Sequence, residues 1–224
     1  MPDAAATQAP RERFLAEDRK NQIVQTALLL VNDHGVDAVS TQLIADTIGR
    51  SQGVVFRHFP TKEALWNSVF DWLREQLEAV WTEAHRFHDS ASPLQTLERM
   101  FRAHIKLIEE YPGLAKLVMS DHLRHEYPGL NERFGELHRR YERQVTALIE
   151  EGVRSKNISP AIKASDAATL YFCMIQGLGF QFAIARIRPS HLKADAARLF
   201  RLWVSALAEH RNGSRKPAKA SRRS

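Results

Sequence analysis

The stretch "TQLIADTIGRSQGVVFRHFP", residues 41–60, decides the fold of the N-terminal part of the chain, because it has the pattern of two short helices joined by a sharp turn. Ala45 is small enough to lie where the two helices would cross. Gly49 stands at the turn, where glycine adopts a left-handed backbone conformation without a Cβ penalty. The stretch therefore predicts a helix-turn-helix. Its inward apolar positions are Ile44, Ile48, Val55 and Phe59.

Helical patterns continue on both sides of this stretch. Apolar residues recur at helical spacing from about Asp18 to Asp33, Gly35 follows as a C-terminal cap, and Ser40 is suited to cap the helix that starts at Thr41. No strand-like alternation extends beyond a few residues, so we predict an all-α fold of about nine helices. Later helices are expected at about residues 62–87, 93–110, 128–156, 165–186 and 190–210, with one more between the "YPG" motifs at 111–113 and 127–129.

Length and composition are those of a globular chain with disordered ends. Of the 224 residues, 44% are hydrophobic and 26% are charged. A chain of this length with this hydrophobic fraction can bury a sizeable core. The net charge of +6 is carried entirely by the C-terminal tail, so the basic balance does not by itself indicate a DNA-binding face. The predicted organisation is a disordered arm at residues 1–17, a helix-turn-helix domain at 18–61, a helical domain at 62–210 and a basic disordered tail at 211–224.

The longest uncharged run, residues 167–185, is just long enough to be considered as a membrane span. It contains two glutamines and two glycines, so we expect instead a helix buried in a bundle or a subunit interface, with no membrane partner. The single cysteine, Cys173, cannot form an internal disulfide, which indicates a reducing compartment. The first residues contain no apolar segment of signal-peptide length, so a cytoplasmic location is predicted.

Residues 19–66, "RKNQIVQTALLLVNDHGVDAVSTQLIADTIGRSQGVVFRHFPTKEALW", carry a resemblance to a known family. The glycine after the first helix, the Ser-x-x-x-Ile-Ala entry, the turn glycine, the Ser-x-Gly, the aromatic-x-His-Phe and the Thr-Lys-Glu-Ala-Leu all fall at family spacing. The segment resembles the DNA-binding domain of TetR/AcrR-type transcriptional regulators. It covers about a fifth of the chain, and the remainder resembles the family only in architecture.

The resemblance implies that residues 51–59 form the recognition helix, which enters the major groove of DNA. A glutamine such as Gln52 binds adenine bidentately, and Val54 is suited to pack on a thymine methyl. Gly53 would allow close approach to the DNA backbone, whereas Phe56 replaces the usual tyrosine and lacks its phosphate-binding hydroxyl. The candidate DNA-contacting residues are Thr41, Gln42, Arg50, Ser51, Gln52, Gly53, Val54, Phe56, Arg57, His58 and Lys62.

The resemblance also implies a homodimer and a pocket for a small-molecule effector in the helical domain. In such regulators the last two helices pair with their copies in a second subunit. The candidate dimer-interface residues are Gly179, Ala183, Leu199, Trp203 and Ala206. The candidate pocket residues are Phe101, His104, Tyr141, Phe172 and Gln176, although each also suits a plain helical core.

The sequence leaves three function classes open. The first is a repressor that binds a palindromic DNA operator as a dimer and is released by a small apolar or amphipathic effector. The second is an architectural or nucleoid-associated DNA-binding protein of the same fold with a protein partner. The third, an all-helical enzyme, is disfavoured because no constellation of acid, base, metal or nucleophile is recognisable.

The histidine pairs and the cysteine lack the neighbours that metal binding or catalysis would require. The pairs His85 with His88 and His122 with His125 have helical spacing but lack a third ligand, so neither a metal nor a cofactor is expected. Cys173 lies in an apolar run without a titratable neighbour in sequence, so we expect a buried, inert thiol.

Overall fold

The structure, a computed structural model of the chain, describes residues 4–86, 92–185 and 188–209. These ranges hold ten helices and no strand, so the predicted all-α fold is confirmed. In chain order the helices are α1 (Ala4–His34), α2 (Thr41–Thr47), α3 (Gln52–His58), α4 (Lys62–His85), α5 (Pro93–Glu110), α6 (Gly113–Val118), α7 (Asp121–Glu126), α8 (Pro128–Arg154), α9 (Ala164–Ala185) and α10 (Pro189–Glu209).

The predicted signals at the end of α1 and the start of α2 act as expected. Gly35 ends α1 with a φ of +80°, and its N–H donates to the Val31 carbonyl oxygen at 3.0 Å. The Ser40 hydroxyl accepts from the Leu43 N–H at 3.1 Å and caps α2. The expected start of α1 near Asp18 is wrong, because the helix begins at Ala4. The preceding segment is rich in Ala, Arg and Glu, which extend a helix once its C-terminal half is anchored.

The segment between the two "YPG" motifs folds as two helices rather than the single helix expected. Helix α6 ends at Val118, and the Ser120 hydroxyl then accepts from the Leu123 N–H at 3.2 Å. Asp121 follows in the first turn of α7, where a carboxylate favours the positive end of the helix dipole. Ser120 therefore starts a new helix within an otherwise helical segment, a local signal that periodicity alone does not reveal.

Two hydrophobic clusters form the core. The first joins α1 to α4 and continues into the C-terminal half through Leu107, Leu114, Leu117 and Leu123, so it extends past residue 61, where the sequence suggested a domain boundary. The second lies among α5, α8, α9 and α10 and contains large aromatic residues, among them the fully buried Tyr171. Helix α1 consequently packs directly on α6.

Helix α6 lies against α1 at a spacing that excludes a side chain. A Cβ on Gly113 would lie 2.2 Å from the Leu28 carbonyl oxygen and 3.0 Å from the Asn32 N atom. Three residues later, the Lys116 ammonium group donates to the Asn32 carbonyl oxygen near the end of α1. A cation at this end also complements the negative pole of the helix dipole. We call these contacts of Gly113 and Lys116 with α1 the α1–α6 contact.

Helix α9 is uniformly apolar but only partly buried. It is the one helix of the described ranges that is long and apolar enough to cross a membrane, and half of its most apolar window is buried inside the chain, as in the core helix of a folded domain. The opposite side of α9 is exposed: Leu170 is 51% and Ile184 60% accessible. Cys173 lies on this exposed side, so the expectation of a buried thiol is wrong. An all-apolar sequence does not indicate which side faces the core.

The close approach at Gly113 predicts that adding a side chain there lowers stability more than adding one at a helix start with free space. We expect Gly113→Ala to lower the free energy of unfolding by about 1–3 kcal/mol, because the added methyl group collides with rigid backbone. Gly129→Ala is the matched control, since it also lies at the start of a helix but a Cβ there meets nothing within 4 Å. Denaturant titration of both variants measures the difference, and an equal effect of the two substitutions would show that the α1–α6 contact is not tight.

Candidate nucleic-acid interface and helical-domain pocket

The turn between α2 and α3 has the geometry that the sequence predicts. Gly49 has a φ of +63°, a left-handed conformation that favours glycine. The Arg50 N–H donates to the Ala45 carbonyl oxygen at 2.9 Å, which closes the turn. Ala45 and Val55 are completely buried where the two helices pack on α1. These contacts fix the orientation of α3 relative to the rest of the N-terminal helices.

Most of the candidate DNA-contacting residues lie on the surface. Phe56 is 45% exposed, a large apolar side chain left in solvent on the outer face of α3. Residues 50–62 contain three basic residues, one histidine and no carboxylate. Thr41 differs from the rest of the set because it is only 8% exposed. The exposed members are Gln42, Arg50, Ser51, Gly53, Phe56, Arg57 and Lys62, and the half-buried members are Gln52, Val54 and His58.

Thr41 and Gln52 are joined by a hydrogen bond that sequence spacing did not reveal. The Gln52 side-chain amide donates from Nε2 to the Thr41 hydroxyl oxygen at 3.1 Å. One amide N–H is thereby occupied, while Oε1 and the second N–H stay available for a base edge. A bidentate contact to adenine requires one donor and one acceptor of this kind. Gln42 is held differently, because its Nε2 donates to the Asp46 carboxylate at 2.6 Å.

Gly53 occupies a site that the fold itself does not require to be glycine. The atom closest to a Cβ built there is the Ser51 hydroxyl oxygen, 4.0 Å away, and its φ lies outside the left-handed region. Packing therefore offers no reason for the missing side chain. That the missing side chain lets the DNA backbone approach the outer face of α3 stays a prediction.

A cavity of about 350 Å³ lies among α4, α5, α6, α8 and α9. Four of the five candidate pocket residues line it, namely His104, Tyr141, Phe172 and Gln176. Phe101 does not line this cavity, because it is 1% exposed and packs against Tyr171 and Phe200 in the core. The contributions of α4, α6 and α7 were not predicted and include Leu73, Leu77, Leu114, Ala115, Val118 and Arg124.

Two polar atoms beside this cavity have no hydrogen-bond partner among the described residues. They are Nδ1 of His104 and the hydroxyl oxygen of Tyr141, and both are shielded from solvent. The neighbouring Tyr171 hydroxyl donates to the Leu97 carbonyl oxygen at 3.2 Å, and its proximity to the Tyr141 hydroxyl partly offsets the rise in the Tyr141 pKa that burial causes. Burial lowers the pKa of His104 to about 4 and raises the pKa of Tyr141. Both groups are thus neutral at pH 7, and each unpaired atom costs about 1–3 kcal/mol.

The candidate dimer-interface residues fall mostly on the inner side of α9 and α10. A Cβ on Gly179 would lie 3.3 Å from Cδ1 of Ile108, and Ala183 is buried. The Trp203 indole N–H donates to the Ala167 carbonyl oxygen at 3.2 Å within the core, and Leu199 is half-buried. Only Ala206 of this set is exposed. The small residues on α9 therefore allow close packing inside this chain.

The remaining polar features offer no metal site. No group of three His, Cys, Asp or Glu suited to hold a metal ion occurs in the part of the chain that the structure describes. His122 lies 3.6 Å from the Asp37 carboxylate through its Nδ1, which links α7 to the segment after α1. His88 and the basic tail at residues 211–224 lie outside the described residues.

Comparison with known families agrees with this architecture. Residues 23–69 match the model for "Bacterial regulatory proteins, tetR family", and residues 90–179 match the model for "Tetracyclin repressor-like, C-terminal domain". The chain belongs to the TetR family. As a TetR-family protein it is a DNA-binding regulator, with α2 and α3 as its helix-turn-helix.

The individual relatives have low sequence identity to this chain, but the aligned regions cover most of both proteins. The nucleoid occlusion factor SlmA of Marinomonas sp. (strain MWYL1) is 24% identical over 161 residues, which cover 71% of this chain and 80% of that protein. SlmA of Marinobacter nauticus is 22% identical over 186 residues, covering 83% of this chain and 92% of that protein.

Solved structures show the same fold. The ketosteroid transcriptional regulator KstR2 of Mycobacterium tuberculosis superposes with a TM-score of 0.70 at 14% identity, over 84% of this chain and 94% of that chain. The regulator FadR of Bacillus subtilis, solved with stearoyl-CoA, gives a TM-score of 0.65 at 19% identity, over 82% of this chain and 97% of that chain.

The hydrogen bond from Gln52 to Thr41 predicts a defined change in base preference. If Thr41 orients the amide for adenine, Thr41→Val removes the acceptor at nearly constant volume and we expect roughly half of the ~1–3 kcal/mol of a bidentate base contact to be lost. Thr41→Ser, which keeps the hydroxyl, is the control. Selection of bound sequences from random DNA measures the preference. Equal adenine preference in both variants would mean that Thr41 does not position Gln52.

Proposed function

We propose that the chain is a homodimeric, cytoplasmic transcriptional repressor. Its two recognition helices bind a palindromic DNA operator, and a small apolar or amphipathic effector in the helical-domain pocket releases the DNA. The observation that carries the proposal is the in-register helix-turn-helix, whose inner face is buried and whose outer face is polar, basic and free of carboxylates between Arg50 and Lys62. Such a face suits the phosphate backbone and the base edges of a major groove.

The exposed side of α9 and α10 supports dimerisation. Leu170, Gly177 and Ile184 follow one another at seven-residue intervals on α9 and are all exposed. On α10, Leu202 is 65% accessible, the highest exposure among the large apolar side chains of the described ranges, and Ala206 follows one turn later. A continuous apolar surface of this kind favours burial against a second copy. Two recognition helices related by a two-fold axis would then match a palindromic operator.

Helix α6 provides a physical route from the pocket to the DNA-binding helices. One side of α6 lines the pocket with Leu114, Ala115 and Val118, while Gly113 and Lys116 make the α1–α6 contact. Because α1 shares its core with α2 and α3, a ligand that displaces α6 also changes the position of the recognition helix. Ligand binding would favour the dimer whose recognition helices are badly spaced for DNA.

Removing two positive charges from the proposed interface should weaken DNA binding. For Arg57→Ala combined with Lys62→Ala, the dimer loses four phosphate contacts, two from each protomer. We therefore expect the slope of log affinity against log salt concentration to fall by about 4, since each lost contact removes about one. Affinity should fall for all DNA sequences alike. Gel-shift titration with the DNA upstream of the chain's own coding region, over a series of salt concentrations, measures both quantities.

The control is Arg143→Ala combined with Arg154→Ala, which removes the same charge from exposed positions on α8. This control should bind DNA as the unmodified chain does. Absence of sequence-selective binding by the unmodified chain, or equal weakening in both double variants, would contradict the proposed interface.

A second candidate function follows from the SlmA relatives, whose name describes a role in nucleoid occlusion. In this alternative the chain binds dispersed sites on the chromosome, and the helical domain contacts a protein partner instead of a small ligand. The same helix-turn-helix would serve both functions, so the distribution of binding sites decides between them.

Mapping occupied chromosomal sites, together with transcript levels in a deletion strain, separates the two functions. A local repressor is expected to occupy a few promoters and to derepress the adjacent genes when it is deleted. An architectural protein is expected to occupy many sites with little transcriptional change near them. Widespread occupancy without local derepression would therefore replace the repressor proposal with the architectural one.

A further inference from the structure

The helical-domain pocket has a lining that limits the charge of its ligand. Its walls are mostly apolar, and none of the residues that line it is an aspartate or a glutamate. A cationic ligand would thus be transferred from water into the pocket without a carboxylate to pair with. Burying an unpaired charge is far more costly than burying a neutral polar group.

Arg124 is the one permanently charged side chain in the lining, and three of the five N–H donors of its guanidinium group are already used. It donates to the Asp121 carboxylate, to the Met119 carbonyl oxygen at 3.1 Å and to the Val118 carbonyl oxygen at 3.3 Å. A bidentate contact to a ligand carboxylate uses Nη2, so it would compete with the bonds to Asp121 and Met119 at the junction of α6 and α7. An anionic ligand is therefore disfavoured as well.

The polar atoms that lack partners lie together on one side of the pocket. The rings of His104 and Tyr141 meet edge to face with centroids 5.7 Å apart, and Tyr141 contacts Phe172 at 5.3 Å in the same way. Both residues line the pocket, although their unpaired atoms lie just behind its surface. A change of the χ1 rotamer at Tyr141, or a rotation of the His104 ring, would bring a hydrogen-bond donor to a ligand oxygen. Burial keeps His104 neutral, so the pair offers hydrogen bonds without charge.

We infer that the pocket binds an uncharged, largely apolar molecule that carries one carbonyl or hydroxyl oxygen, which accepts a hydrogen bond from Tyr141 or His104. This inference names the ligand class for the proposed effector site and rests on the proposed function only for the consequence of binding. Carboxylates, amines and phosphorylated conjugates are excluded from the buried part of the site.

Four probes with one rigid skeleton test the inference: 2-acetylnaphthalene, 2-ethylnaphthalene, 2-naphthoate and 2-naphthylmethylamine. They differ only in a ketone, a hydrocarbon, an anion or a cation at one position. Isothermal titration of the full chain should give about tenfold tighter binding of the ketone than of the hydrocarbon, as expected for one net hydrogen bond. Both charged probes should bind more weakly than the hydrocarbon.

Tyr141→Phe and His104→Leu identify the donor. In the variant that lacks the donor, the ketone and the hydrocarbon should bind equally, while the hydrocarbon binds as it does to the unmodified chain. Circular dichroism checks the fold of both variants, and Tyr141→Phe removes an unpaired hydroxyl without opening a cavity. Tightest binding of a charged probe, no binding of any probe, or a ketone preference that survives both substitutions would overturn the inference.

The effect of ligand binding on the DNA complex is measured separately, by repeating the gel shift in the presence of saturating 2-acetylnaphthalene. Selective ketone binding that leaves the DNA complex intact would support the ligand class and contradict the proposed release. Loss of sequence-selective DNA binding by the unmodified chain would contradict the proposed function while leaving the ligand class to the calorimetric result.

Discussion

The contact between α6 and α1 is the constraint on which the rest of the structure depends. Gly113 allows the start of α6 to approach the Leu28 carbonyl oxygen at a distance that no other residue tolerates, and Lys116 binds the Asn32 carbonyl oxygen at the end of α1. Because of this contact, the core of the DNA-binding helices extends into the C-terminal half of the chain. The N-terminal helices are accordingly not an independent unit attached by a linker.

A second connection runs along α4 and α8 and keeps the two halves together. Arg133 on α8 donates to Asn67 and to the Asp71 carboxylate on α4, and its guanidinium group lies 4.3 Å from the centre of the Phe70 ring. On the side of α4 and α8, these contacts hold the pocket wall in place. On the side next to α1, the wall is the short helix α6. In the proposed mechanism, α6 is for this reason the element that responds to a ligand.

The sequence predicts the helix-turn-helix well because its signals are local. Gly49 and the cap at Ser40 act on residues within one turn of themselves, and the structure has them where the spacing requires. The α1–α6 contact was not predicted because it joins residues far apart in the chain, and the "YPG" motif at 111–113 indicates only where one helix ends and the next begins. The burial of Trp203 within its own chain was not predictable for a related reason: an apolar helix does not specify which of its sides faces its own core.

The central claim is that the α1–α6 contact couples the pocket to DNA binding, and a comparison of Lys116→Met with the unmodified chain tests it most directly. The quantity measured is the factor by which saturating 2-acetylnaphthalene weakens the DNA complex, for which couplings of about 5- to 150-fold are typical. The account predicts that Lys116→Met binds the ketone and the DNA separately as before but that this factor falls towards one. An unchanged factor in Lys116→Met would contradict the account.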